Sequence, residues 1–184
     1  MPKHIKTIIL VLILSLIVCA TCSAKVIASK AGRFRFVTPD TWYLTSLGGG
    51  DAYTAEIVSV GFEKNTAVSV KRSKFALAFR EFRNCTYTQK SEFRDNLFRS
   101  SASFAQAKGY SVKMVGTNIL ENSIFICYDL FKEGRKFTII ENYVVSEYYC
   151  YSLVVIGTDY TLQEAIKVAD SLTVDGIPYV QWAK

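Results

Sequence analysis

Apolar and polar positions divide this chain into one unbroken apolar run, a series of alternating segments, and two stretches with helical spacing. Residues 33–37 (RFRFV) alternate cleanly and predict a strand that ends at Thr38-Pro39-Asp40. A second short strand is predicted over 42–44. Residues 53–62 and 66–71 predict a hairpin joined near Glu63-Lys64-Asn65. Residues 75–82 are ambiguous, since their spacing (75, 78, 79, 82) also suits a short helix. Ser91 is the predicted N-cap of a helix running to about Lys108, with Glu92 and Asp95 in its positive first turn and Gly109 at C′. Phe93, Leu97, Phe104 and Ala107 would share its buried arc, and Arg99 is placed to pair with Asp95 at i, i+4.

The second half alternates more regularly. Strands are predicted over 110–120, 123–131, 136–145 and 148–157, the last three forming an antiparallel meander through turns at 132–135 and 146–147. Alternation puts Tyr149 and Tyr151 on one face of their strand and Tyr148 on the other, a density suited to core packing before an aromatic ligand surface. Thr161-x-x-Glu164 is a capping box, and Leu162, Ala165, Ile166, Ala169 and Leu172 form the expected buried face of a final helix. Residues 174–184 read as a tail.

The unbroken run comes first. Lys3 and Lys6 precede Ile8–Ala20, and small residues follow to Ala24, the arrangement of a secretory signal peptide cleaved after Ala24. Residues 1–24 are therefore expected to be a signal peptide and 25–184 one globular domain, exported to the periplasm or outside the cell. The alternatives are membrane attachment through an uncleaved anchor or through a lipid at Cys19 or Cys22. The residue before each of those cysteines departs from a lipobox, and the apolar run is short for a span.

Composition narrows the chemistry. The chain has 184 residues, half of them hydrophobic, and its one histidine, His4, lies in the targeting segment. A mature chain without histidine excludes Ser-His-Asp and Cys-His machinery, a His-based zinc site and an imidazole proton shuttle. No catalytic, cofactor-binding or metal-ligating residue is assigned, and no enzyme activity is expected. A Ser–Lys or carboxylate hydrolase remains as an alternative, although no spacing recommends one. Gly48-Gly49-Gly50 lacks the Lys-Ser/Thr of a phosphate loop. Asn84-Cys85-Thr86 is a glycosylation sequon of low specificity.

Cys85, Cys127 and Cys150 are odd in number and read as small buried residues before a disulfide. In the meander, Cys127 and Cys150 stand about two strand spacings apart, beyond the reach of a disulfide. Charge is uneven: residues 64–113 hold eleven basic side chains against three acidic ones, and the chain beyond is acidic. A solvated surface is the simpler reading. The functional one is a contact with anionic envelope lipid or polymer, with Lys71, Arg72 and Arg80 as candidate anion-binding residues. No nucleic-acid motif is present.

Phe34-x-Phe36-x-x-Pro39-x-x-Trp42 resembles the opening of the PsbP-like and DcrB-like (Mog-type fold) superfamily. The order of elements over 32–173 is similar as well, although Thr41 stands where that superfamily often has Gly. The resemblance implies an α+β fold, an α-β-α sandwich with an antiparallel sheet flanked by helices. It also implies an exported, commonly non-enzymatic accessory or binding module; partners diverge among members, so it transfers no functional residue, and the partner expected here is an envelope protein.

Overall fold

The computed structural model describes residues 24–28, 34–46, 52–59, 62, 66–74, 82–145, 149–158 and 160–174. Residues 1–23 (all but Ala24 of the expected signal peptide 1–24, with Cys19 and Cys22), the Gly48–Gly50 segment, the ambiguous segment 75–81, Tyr148 and the tail 175–184 lie outside them. In chain order the strands are β1 (Lys25–Ala28), β2 (Phe34–Thr38), β3 (Leu44–Ser46), β4 (Ala52–Ile57) and β5 (Ala67–Lys74). A 3₁₀ turn at Phe82–Asn84 precedes helix α1 (Tyr87–Ala107). Then follow β6 (Ser111–Ile119), β7 (Ser123–Lys132), β8 (Arg135–Val145), β9 (Tyr149–Gly157), helix α2 (Leu162–Asp170) and β10 (Thr173–Val174). No helix among the described residues is long and apolar enough to cross a membrane.

The strands form two sheets. The larger is antiparallel with order β3-β4-β5-β9-β8-β7-β6, and the smaller has order β1-β2-β10. The meander β7 to β9 is as the alternation predicts, with β6 extending it beyond β7; the β4–β5 hairpin forms too, its first strand ending at Ile57 rather than at 62. The β7–β8 turn places Glu133 and Gly134 at φ 52° and 74°, the mirror-image geometry that matches strand twist. The pairing of β5 with β9 joins residues 75 to 89 positions apart, from Lys74↔Tyr149 to Ala67↔Ile156. Gly157 lies at the end of this seam, where a methyl group in place of its hydrogen would stand 2.5 Å from Thr66 Cγ2. Only glycine fits that approach.

Alternation along β8 and β9 sorts the core onto two faces. Ile140, Val144, Tyr151, Leu153 and Val155 meet α2 (Ala165, Val168, Ala169) and the small sheet (Phe34, Phe36) in one buried cluster. Asn142, on the same face, donates from Nδ2 to Ala169 O at 2.7 Å and so anchors α2. Ile139, Val145, Cys150 and the β7 residues Ile124, Ile126, Tyr128 and Leu130 form the second cluster beneath α1. The result is an α+β sandwich: helix, seven-stranded sheet, then a layer of helix and small sheet.

The N-terminal motif has a structural meaning. Trp42 N–H donates to Pro39 O at 3.0 Å, closing a turn that drops the buried Trp42 ring against Phe62 and Tyr160. Trp42 thus precedes β3, which spans 44–46 rather than the predicted 42–44.

Several expectations are corrected. Helix α1 begins four residues before Ser91. Thr86 is the N-cap, accepting from Gln89 N at 3.3 Å while Gln89 Oε1 accepts from Thr86 N at 2.8 Å. A reciprocal box satisfies more end groups than Ser91 would satisfy alone. At the other end, Tyr110 N–H donates to Ala105 O and Gly109 N–H to Gln106 O, with Gly109 at φ 83°, a Schellman closure. The buried arc also differs: Ala105 is buried and Phe93, Leu97 and Phe98 are half-covered, whereas Phe104 is 65% exposed and Ala107 is exposed. Asp95 pairs with neighbouring Arg94 at 2.8 Å, and Arg99 donates to Asn96. On α2 the capping box at Thr161 is present, but the buried face is Ala165, Val168 and Ala169 with Leu172 beyond the helix. Leu162 and Ile166 stand 44% and 43% exposed.

Candidate functional site

Helix α1 is seated lightly, burying only Lys90 and Ala105 along its length. Lys90 is held from within: its Nζ donates to Glu121 O at 2.7 Å and lies 4.9 Å from the centre of the Phe82 ring. That pins the N-terminal half of α1 to the β6–β7 turn. Under the C-terminal half the helix and sheet part, leaving a cavity of about 430 Å³ lined by α1, β7, β8 and β9. This lies within the range of small-ligand sites.

Its walls are apolar and aromatic, with Phe104, Tyr110, Tyr128 and Phe137 among them, and Leu130, Ile139, Val154 and Ile156 completing the sheet side. Tyr110 and Phe137 meet edge to face at 6.2 Å. At the mouth, Lys108, Lys132 and Arg135 lie over Phe104, Tyr110 and Phe137 at 4.2, 5.2 and 5.7 Å from the ring centres. Lys132 also donates to Lys108 O at the helix end.

One carboxylate faces this cavity. Glu141, only 5% exposed, sits at the middle of β8 on the α1 side. Tyr128 donates to its Oε1 and Tyr143 to its Oε2, both at 2.9 Å, and Ser101 of α1 reaches the two oxygens at 3.2 and 3.3 Å. The strands make this geometry: Tyr143 is two residues along the same face, and Tyr128 is the diagonal neighbour across β7–β8. Burial pushes the Glu141 carboxyl above its ordinary value, and the hydroxyl donors oppose that shift. Burial, then the adjacent Glu141 charge, pushes both tyrosine hydroxyls up, so they remain proton donors.

A second cavity of about 450 Å³ opens on the other side of the sheet, between β6–β7 and α2. Val115, Cys127, Leu162 and Ile166 line it, which accounts for the exposure of the two α2 side chains. Its acidic group, Asp170, is raised by burial and stands at the end of α2.

The candidate anion-binding residues do not converge. Lys71 and Arg72 are consecutive on β5, so their side chains leave opposite faces of the sheet; Arg72 lies over the Tyr149 ring at 4.3 Å. Arg80 is outside the described residues. Lys90, counted in the basic stretch, is buried. The basic cluster that does form is the cavity mouth, where Lys132 and Arg135 come from the acidic half of the chain. Ala24 is exposed immediately before β1.

Cys85, Cys127 and Cys150 carry free thiols. Cys127 is paired with Ile140 and Cys150 with Val145 on opposite edges of β8, and their side chains face different clusters. Burial pushes the Cys150 thiol up to about 12, leaving it unreactive. Tyr149 and Tyr151 share the α2 face, with Tyr151 in the core. No group of three or more His, Cys, Asp or Glu side chains is gathered among the described residues. Thr86 of the sequon is occupied as the α1 cap.

Glu141 escaped the sequence reading because a single Glu in a strand resembles a solvent-facing position. The available signal was its setting: in Thr138-Ile-Ile-Glu-Asn-Tyr-Val-Val145 both alternating faces are apolar, so a charge there has no solvent side.

With this geometry in place, solved structures can be compared. A solution structure of a cyanobacterial PsbP (CyanoP) from Synechocystis superposes with a TM-score of 0.59 over 84% of this chain and 94% of that one, at 12% identity. The fold is PsbP-like. A crystal structure from Bacteroides thetaiotaomicron matches with a TM-score of 0.47 at 12% identity, over 82% of this chain and 48% of that one. No family model matches the sequence, and no curated protein matches it. The likeness is therefore one of architecture. It agrees with the α+β sandwich that the N-terminal motif and element order imply.

Proposed function

We propose that this protein is an exported, non-catalytic binding module of the bacterial cell envelope, and that it works by holding an apolar group of its partner or ligand in the cavity beneath α1. The observation that carries this reading is the cavity itself: apolar walls, an exposed aromatic at the mouth, and one buried carboxylate already engaged by hydroxyl donors. Such a site is built to bind. Chemistry of the Ser–Lys or carboxylate-pair kind has less support. Ser101 is hydrogen-bonded to Glu141 and Lys108 lies over Phe104. Asp129 faces the other side of the sheet, held by Thr138 and Lys136. Export rests on the N-terminal segment, and the mature chain is expected to begin at Lys25.

The test is calorimetric titration of the mature chain with 1-octanol, an uncharged apolar probe. Saturable binding is expected, and Ile156→Phe, which fills the cavity from β9, should weaken it about tenfold or more at a stability cost of about 1–3 kcal/mol. Binding unchanged in Ile156→Phe would overturn the reading. Intact mass of the native protein checks the start at Lys25.

A further inference from the structure

Glu141 is a buried carboxyl with hydroxyl neighbours and, among the described residues, no cation within ion-pair distance. Lys108, the cation that lines the same cavity, is turned to the Phe104 ring at the mouth. A carboxylate carries about four lone-pair directions. Tyr128 and Tyr143 occupy one on each oxygen, and a single Ser101 hydroxyl is shared between the two at 3.2 and 3.3 Å. Acceptor capacity therefore remains, and Glu141 lines a cavity of about 430 Å³ with mostly apolar walls. Around that space stand Phe104, Tyr110, Tyr128 and Phe137, whose π faces favour positive charge. Three of these rings already take one of the protein's own cations at the mouth.

We infer that the cavity takes an apolar amine, its ammonium group donating to Glu141 and its hydrocarbon body lying along Leu130, Ile139, Val154 and Ile156. This deepens the proposed function and rests on it. The cations at the mouth act against an incoming amine, but they are solvent-facing and screened. Glu141 acts from within the protein, where a charge-assisted hydrogen bond is strongest. Binding would pair a charge that the fold alone leaves compensated only by hydroxyls.

The experiment compares octylamine, 1-octanol and octanoate, ligands of one chain length with three head groups, against the mature protein, Glu141→Gln and Ile156→Phe. Octylamine should bind about tenfold tighter than 1-octanol, and octanoate weakest. Glu141→Gln keeps an acceptor for Tyr128 and should bring octylamine and 1-octanol within about twofold of each other. Unchanged 1-octanol binding in that variant shows that its cavity is intact. Equal affinity of octylamine and 1-octanol for the wild type, or an amine preference that survives Glu141→Gln, overturns this inference and leaves the apolar-cavity reading standing. Failure of all three ligands to bind overturns both.

Discussion

The two faces of the seven-stranded sheet are built on different principles. The α2 face is closed over its centre: Trp42, Phe36, Ile140, Leu153, Val155 and Leu172 are all but inaccessible, and the small sheet and α2 seal them together. Its polar groups serve fixation, as Asn142 does on Ala169 O and Ser171 does where it accepts from Val37 N at 2.7 Å. The α1 face is half-open. Its helix is pinned at one end by Lys90 and stands away at the other, above aromatic rings and a buried carboxylate. The α2 face is sealed over its centre and opens only beside β6 and β7, whereas the α1 face opens around a buried carboxyl. A protein interior normally packs without such space and satisfies its buried charges, so a cavity around a charge is more informative than either alone.

The comparison is broken most severely on the closed face. Trp42→Ala should lower unfolding free energy by about 3–5 kcal/mol in urea titration, since its ring is fully buried between Phe62 and Tyr160. A loss under about 1 kcal/mol would mean that this face is not the stabilising one.

A smaller effect of opposite sign is expected on the open face. Ser101 from α1, and Tyr128 and Tyr143 from β7 and β8, surround the Glu141 carboxyl, whose proton affinity burial raises above the ordinary value of 4.5. The folded protein thus binds this proton more tightly than the unfolded chain. The stability tied to it is complete below about 4.5 and is lost as pH rises through the raised folded value. Glutamine carries no such charge. Glu141→Gln should therefore gain stability on the wild type as pH rises from about 4 to about 8, read in urea titrations at the two pH values. A difference that does not change with pH would contradict the buried-carboxyl account.

The smallest effect is expected at the mouth. Phe104→Ser should shift stability by no more than about 0.5 kcal/mol, because the ring is mostly exposed, while weakening 1-octanol binding several-fold. A large stability loss there would place Phe104 in the core after all.

How far the sequence speaks follows the same division. The meander is legible because each strand ends at a local turn, and both capping boxes are written in four residues, although at α1 the acidic residues after Ser91 outweigh Thr86-x-x-Gln89 as a start signal. The motif from Phe34 to Trp42 was legible as a pattern, and its residues prove to be core. The β5–β9 pairing and the second sheet, joining β2 to β10, depend on residues far apart in the chain, where periodicity carries no information about partners. The candidate site was not legible for the same reason. Glu141 acquires its surroundings from Ser101, forty residues earlier, and from Tyr128 across a strand pair. The basic stretch over 64–113 shows the converse: residues close in sequence, such as Lys71 and Arg72, are parted by the pleat.

The most direct test of the account is methyl NMR of the mature protein during titration with 1-octanol. The methyl groups of Leu130, Ile139, Val154 and Ile156 should shift together and saturably, while those of Val68, Leu153 and Val155 across the sheet stay in place. Shifts confined to Leu162 and Ile166 beside the second cavity, or spread over both faces, would contradict a binding site beneath α1.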